Sequence, residues 1–458
     1  MFSGWLVAAL GLTMTRRSCS SLSVPDIAAY FGTKTRYEEV NPHLLRDVLT
    51  VNASVLRPPA TERCVPVHLT AVIRHGSRYP TVKNIRRIQR LSELVRREAS
   101  GSPGGSGGSG GGRGGRGLAP GLISNNSGQL VLKGREDLRQ LAARLSLLFP
   151  SLLTEENEMS ISLRSSSKHR CVSSAEAFQE GLQLHWRHSD VQYRHLVDDK
   201  LMRFFERCRG YVEGVEKNRT ALLEVHKFKH GPEMERVKRK VAGRLGLHQH
   251  HLTADLVEAA FFLCSYELSI KSLHSSWCFL FDEDDAKVLE YKSDLKQYWK
   301  RFHGYMISSM SSCPLFHHIF RTLDKAGRPR RSPASILIGH AETLLPLLSL
   351  LGLYKDQTPP TADNYHTQHG RSFRSGLIVP YAANLLFVLY DCQRGPRLQL
   401  LVNESPVRFP GLETEDAPLY RDVRAAYRHL LDGCDFQREC EGTILLRRAS
   451  SSSGSRSV

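Results

Sequence analysis

Three short apolar runs each end abruptly in charged or polar residues. Residues 67–73 alternate weakly, carry β-branched side chains and read as a mostly buried strand that stops at Arg74. Residues 159–163 (MSISL) alternate as a second strand and give way to the polar turn of residues 164–170. Residues 335–338 (SILI) form a third, ending in Gly339-His340-Ala341-Glu342. Helical spacing follows each run. Residues 84–97 predict a basic amphipathic helix. Leu138, Leu141, Ala142, Leu145, Leu148 and Phe149 predict a core-facing one stopped by Pro150, and Ala175, Phe178 and Leu182 a third. In the apolar segment 344–351, Pro346 is tolerable only near a helix start, which puts His340 and Glu342 at its N-terminus. Residues 384–390 and 398–402 read as a further strand pair.

From about Asp198 the pattern changes. Residues 201–215, 232–247, 254–270 and 286–302 are all helical in period, so 198–323 reads as a mostly helical insertion in an α/β domain made of 21–197 and 324–445. Within it, His248, His250 and His251 have loop spacing and no metal-site spacing. The acidic run 282–285 suits a helix start better than a cation site. Residues 101–117 hold eleven glycines among seventeen positions and predict a disordered surface loop, and 446–458 is a Ser-rich tail.

Composition narrows the partners. Lys and Arg number 63 against 46 Asp and Glu in 458 residues, a formal charge of +17, which favours a polyanionic partner. Only Arg113 and Arg116 interrupt the glycine run, too few for an RNA-binding segment, and nucleic acid is not expected. Beyond the N-terminus no stretch is long and apolar enough to span a bilayer. The ten cysteines make no zinc pattern, and Cys264 with Cys278 and Cys434 with Cys440 are close enough in sequence for local disulfides. Sequons at Asn52, Asn125, Asn218 and Asn403, with Pro406 following the last, fit a secretory compartment. So does the apolar run 5–14 with Ser18-Cys19-Ser20 after it, which makes 1–20 an expected signal peptide. The C-terminal Ser-Arg-Ser-Val is not a KDEL-type signal, so the expected location is the endoplasmic reticulum lumen or outside the cell.

The three strand ends deliver Arg74, His75 and Arg78, then Arg170, then His340 and Glu342. In open α/β sheets ligands bind beyond the carboxyl ends of strands, often at helix N-termini. Guanidinium groups match phosphate oxygens and stay charged at any working pH. A neutral imidazole can attack phosphorus, and a carboxylic acid can protonate the departing alkoxide.

The string Arg-His-Gly-Ser-Arg-Tyr-Pro after a strand, with His-Ala-Glu far downstream, resembles the histidine acid phosphatase family. The His-Ala-Glu spelling resembles its multiple inositol polyphosphate phosphatase branch, as do YFGTKTRYEEVNPHLL from Tyr30, SSKHRC from Ser166, DKLMRFFERC from Asp199, FDEDDAKVLEY from Phe281, DLKQYWKR from Asp294, GHAETLLPLLSL from Gly339 and FRSGLIVPYAANLLFVLY from Phe373. The resemblance implies a phosphoglycerate mutase-like α/β domain with an inserted helical domain. It implies His75 as nucleophile, Glu342 as proton donor, and Arg74, Arg78, Arg170 and His340 as phosphate ligands. Inositol polyphosphates, and 2,3-bisphosphoglycerate, are the implied substrates, with no metal or organic cofactor. Lys83, Arg86 and Arg374 are candidates for their neighbouring phosphates. The family pattern also implies a Cys64–Cys392 disulfide. A general acid phosphatase, or a secreted polyanion-binding protein without activity, is the alternative. One departure is that glycines and residues 118–127 replace an aromatic-rich segment ahead of Gly128.

Overall fold

The computed structural model describes residues 27–100, 126–186, 195–272, 275–326 and 332–441. The expected signal peptide, the glycine-rich run, Asn125 and the Ser-rich tail lie outside them.

The scaffold is one seven-stranded sheet in the order β3-β2-β4-β1-β5-β6-β7. Its strands are β1 (Cys64–Arg74), β2 (Ser162–Ser165), β3 (His195–Val197), β4 (Ala334–Gly339), β5 (Asn384–Cys392), β6 (Arg397–Val402) and β7 (Ser405–Val407). β1 runs parallel to β4, and β4 parallel to β2. β5 and β6 are antiparallel neighbours on the other side of β1. Period-2 alternation sends Leu69, Ala71 and Ile73 to one face of β1 and Val72 to the other. Ile336 and Ile338 oppose Leu337 on β4, and Leu386 and Val388 oppose Phe387 on β5. Both faces are covered, as a largely parallel centre requires.

Eight helices matter here: α1 (Val82–Ser100), α2 (Leu132–Leu148), α3 (His169–Trp186), α4 (Pro232–Leu245), α5 (Ala254–Lys271), α6 (Glu283–Arg301), α7 (Cys313–Lys325) and α8 (Ala341–Leu350). Leu138, Leu141 and Leu145 of α2 and Ala175, Phe178 and Leu182 of α3 cover the Leu69 face. α4 to α7 join the core on the Val72 face. The acidic run opens α6: Asp282 Oδ1 accepts from the Asp285 amide, and Asp285 Oδ2 accepts from the Asp282 amide.

Several details differ from expectation. The strand expected over 159–163 lies at Ser162–Ser165, where it pairs with β4; 155–160 form a 3-10 turn instead. Ladder partners, not alternation alone, decide such a short strand. The helix expected over 201–215 is broken into turns at Arg203 and Cys208, whose backbones leave helical geometry. Cys64 is bonded to Cys392 and Cys264 to Cys278. Cys434 and Cys440 are not bonded to each other: Cys434 is joined to Cys313, and Cys440 to Cys208. The helix Phe436–Glu441 separates the two, so Cys434 meets the start of α7 and Cys440 meets the turn at Arg209–Tyr211. Asn403 is a poor glycan acceptor because it is buried and its Nδ2 donates to the carbonyls of Leu377 and Ile378. Asn52 is exposed and Asn218 half-buried.

Candidate active site

β1 and β4 end side by side, with Arg74 opposite Gly339. The next residue of each strand is a histidine, and the His75 and His340 ring centres stand 5.5 Å apart. His75 is pinned by its backbone: its N–H donates to Gly339 O at 3.0 Å, and its carbonyl accepts from Ala382 N–H at 3.2 Å. Gly76 then passes against Gly134 of α2 so closely that an added Cβ would lie 2.2 Å from the Gly134 carbonyl. Here glycine is required by close approach of two backbones. Ser77 Oγ donates to Asp137 Oδ2 at 3.3 Å, and Asp137 pairs with Lys133 behind the turn.

The hydrogen bonds fix both tautomers. His75 Nδ1–H donates to the Gly76 carbonyl at 2.9 Å, which leaves Nε2 with a free lone pair. Arg170 donates to His340 Nδ1 at 3.2 Å, so His340 Nε2–H donates to Ser166 Oγ at 2.9 Å. Burial, then Arg170 and Arg74, hold His75 well below its ordinary value. Burial and Arg170 bring His340 down to about 3. Both rings are therefore neutral at physiological pH. Cys171 packs beneath His340, and burial pushes its thiol up to about 11, so it is unreactive.

The cationic residues Arg74, Arg78 and Arg170 lie close enough to act on one another and on His75. Arg74 donates to the Val379 carbonyl at 2.7 Å and lies 4.6 Å from the Tyr381 ring centre. Arg78 donates to the Tyr79 carbonyl. Arg170 opens the first turn of α3. The Nε atoms of Arg74, Arg78, Arg170 and Arg301, and the Tyr381 hydroxyl, are buried and meet no partner among the described residues. Guanidinium nitrogens can only donate, so this surplus of donors suits an anion.

Glu342 is the second residue of α8, whose positive end favours a carboxylate. Its Oε1 lies 3.1 Å from Arg301 at the end of α6. Burial pushes its carboxyl up, but the Arg301 guanidinium, and after it Arg74, outweigh that and hold it well below the usual carboxylate range. The site thus holds its carboxylate ionised and its imidazoles neutral.

Of the expected residues, Arg74, His75, Arg78, Arg170, His340 and Glu342 come together. Lys83 and Arg86 stand exposed on the first turns of α1 and make no ion pair with the cluster. Arg374 is committed elsewhere: its guanidinium grips Glu290 at 3.0–3.2 Å and packs 5.3 Å from the Tyr30 ring centre. Nothing at the three strand ends marks Arg301, Lys34 or Lys296. Lys34 lies 3.7 Å from the Phe262 ring centre, and burial together with Lys296, Arg78 and Arg74 draws its ammonium down to about 7. Lys296 keeps an exposed side chain, yet crowding by the surrounding chain, then Arg301, Lys300 and Lys292, draws its ammonium down to about 8. The i, i+4, i+8 spacing of Lys292, Lys296 and Lys300 was the available signal.

Known proteins share these features of sequence and fold. The family model for the histidine phosphatase superfamily (branch 2) matches residues 67–403. The Homo sapiens protein named multiple inositol polyphosphate phosphatase 1 is 47% identical over 480 residues, covering 98% of this chain and 96% of its own. The Gallus gallus protein of the same name is 46% identical over 428 residues, covering 91% and 93%. Among solved structures, the phytase from D. castellii superposes with a TM-score of 0.69 at 15% identity, over 92% of this chain and 89% of its own. The Bifidobacterium longum multiple inositol polyphosphate phosphatase in complex with inositol hexasulfate gives 0.64 at 15% identity, over 83% and 93%. The structural likenesses carry the fold, and the sequence matches carry the family: this chain belongs to branch 2 of the histidine phosphatase superfamily, and it is a histidine-type phosphatase.

Proposed function

We propose that the chain removes phosphate groups from inositol polyphosphates, inositol hexakisphosphate included, through a phosphohistidine at His75. 2,3-Bisphosphoglycerate is a second substrate of the same chemistry. The observation that carries the reading is the neutral His75, its Nδ1 tied back and Nε2 open, amid buried guanidinium groups with unmet donors. Arg74, Arg78 and Arg170 bind the scissile phosphate, with His340 held neutral beside them.

The Nε2 lone pair attacks phosphorus; the P–N bond forms as the ester P–O bond breaks, and the departing alkoxide takes a proton from the Glu342 carboxyl. Water then attacks phosphorus, its proton passes to the Glu342 carboxylate, and the P–N electron pair returns to Nε2 as inorganic phosphate leaves. Because Glu342 is ionised in the free site, its proton is taken up with substrate, whose negative charge raises the carboxyl. The charge of +17, and Lys34 and Lys296, which form no ion pair among the described residues, fit a substrate with several phosphates.

We also read 198–323 as an insertion in the α/β domain and the protein as one of the secretory pathway. Four disulfides fit an oxidising compartment. Residues 1–20 serve as signal peptide, and Asn52 and Asn218 carry glycan. Phosphate release from inositol hexakisphosphate tests the activity: the wild type releases it and His75→Ala does not. Release by His75→Ala at the wild-type rate would refute the mechanism, and binding without release by the wild type would refute the activity.

A further inference from the structure

Arg301 reaches the site from outside the strand ends. It is the last residue of α6, on the helical segment, while Glu342 belongs to the first turn after β4. Its side chain is 12% exposed and that of Glu342 is 36% exposed. Arg301 NH1 donates to Gln297 Oε1 at 3.1 Å, and NH2 lies 3.1 Å from Glu342 Oε1 and 4.0 Å from Glu216 Oε2. Its Nε is buried and meets no partner among the described residues. The guanidinium is thus gripped from below by α6 and shared between two carboxylates, with one donor unused.

The other charges around Glu342 do not duplicate this one. Arg74 and Arg78 come from the end of β1 and Arg170 from α3, and all three act on His75. His340, on Glu342's own turn, is tied to Ser166 and Arg170. Lys300 of α6 is paired with Glu216 at 2.5 Å, and Tyr211 Oη donates to the same carboxylate at 3.1 Å. Among the described residues, Arg301 is the only cationic side chain within ion-pair distance of the Glu342 carboxylate.

Resting on the reading of Glu342 as the proton donor, we propose that Arg301 makes the enzyme select polyphosphorylated over singly phosphorylated esters. It occupies Glu342 until a second phosphate of the substrate takes its place. The leaving oxygen must lie beside the Glu342 carboxyl to receive its proton, so a phosphate on the adjacent carbon of a ring lies beside Arg301. That phosphate offers Arg301 more charge and more acceptor atoms than one carboxylate oxygen does. Once it is engaged, Glu342 has lost a cationic partner and gained an anionic neighbour, and both changes favour its protonated form. A monoester fills only the Arg74, Arg78 and Arg170 pocket, and leaves the Arg301–Glu342 pair intact and the carboxyl without its proton. Lys34 and Lys296, which form no ion pair among the described residues, supply further cations to hold such a substrate.

The test is steady-state kinetics of wild type, Arg301→Met and Arg301→Lys on inositol hexakisphosphate, myo-inositol 1-phosphate and p-nitrophenyl phosphate across pH. p-Nitrophenolate leaves without a proton, so its rate reports folding and the nucleophile but not the acid. Arg301→Met is expected to raise KM for the hexakisphosphate and to raise kcat for the monophosphate about tenfold near neutral pH. The acid-requiring limb of the monophosphate profile shifts about one pH unit upward. Arg301→Lys, which keeps the charge without the fork, falls between the two. An unchanged preference between the two inositol phosphates, or equal losses on both, overturns the proposal. Should Arg301→Met lose p-nitrophenyl phosphate hydrolysis as well, Arg301→Lys decides by the same preference. If the wild type itself released no phosphate from the hexakisphosphate, the assigned activity would fail, an outcome distinct from an active enzyme whose preference ignores Arg301.

Discussion

The Nδ1–H of His75 donates to the carbonyl of Gly76, its own neighbour in sequence, at 2.9 Å. One short bond therefore decides which nitrogen faces substrate. Gly76 is in turn wedged against Gly134, so the orientation of the nucleophile depends on two backbones packed without side chains between them.

Gly76→Ala tests that dependence. Its Cβ would lie 2.2 Å from the Gly134 carbonyl, backbone that cannot swing away as a side chain would. The variant is expected to lose about 1–3 kcal/mol of stability and most activity. Chemical denaturation and phosphate release check both. Wild-type values would mean the contact is looser than described.

The disulfides give a covalent test. A non-reduced digest should contain Cys313 linked to Cys434 and Cys208 linked to Cys440, with sequence separations of 121 and 232. Removing Cys208 and Cys440 together should cost about 2–5 kcal/mol, since their bond closes a long loop of the unfolded chain. A Cys434–Cys440 peptide would contradict the packing of the C-terminal helices.

Acid should weaken the fold for a definite reason. His340 is held down to about 3, and His303 and His318 to about 4, chiefly by burial. Unfolding frees these rings to protonate near 6.5, so between there and the folded values the unfolded chain binds more protons. Their contribution is complete above about pH 6.5 and is lost as pH falls toward 4. Denaturation midpoints at pH 7 and pH 4.5 should differ in that direction. His303→Asn, at a ring bonded to Leu353 and Ser349, should flatten the slope. A midpoint that rises on acidification would contradict this.

Most of the site was legible because it stands at strand ends, where an apolar run stopping at a charged turn leaves a clear mark. β1, β4, β5 and β6 appear in the sequence as β-rich runs. Arg74, His75, Arg78, Arg170, His340 and Glu342 follow from three such stops. What the sequence hid was set by tertiary partners. Arg301 is one more cation in a helix of evenly mixed charge until α6 is docked beside α8. Arg374 looked available until Glu290 claimed it. Cys434 and Cys440 looked like neighbours because spacing says nothing of the helix that turns them apart. β2 sits off the alternating run because four residues carry too little period to outweigh the register imposed by β4.

The central claim is covalent, and it can be read covalently. The enzyme would be mixed with radiolabelled inositol hexakisphosphate, quenched in alkali within one turnover, digested and mapped. The account predicts an acid-labile, alkali-stable label on His75 that disappears during a chase with unlabelled substrate, and no label in His75→Ala. Full turnover with no label on His75, or with the label on another residue, would contradict it.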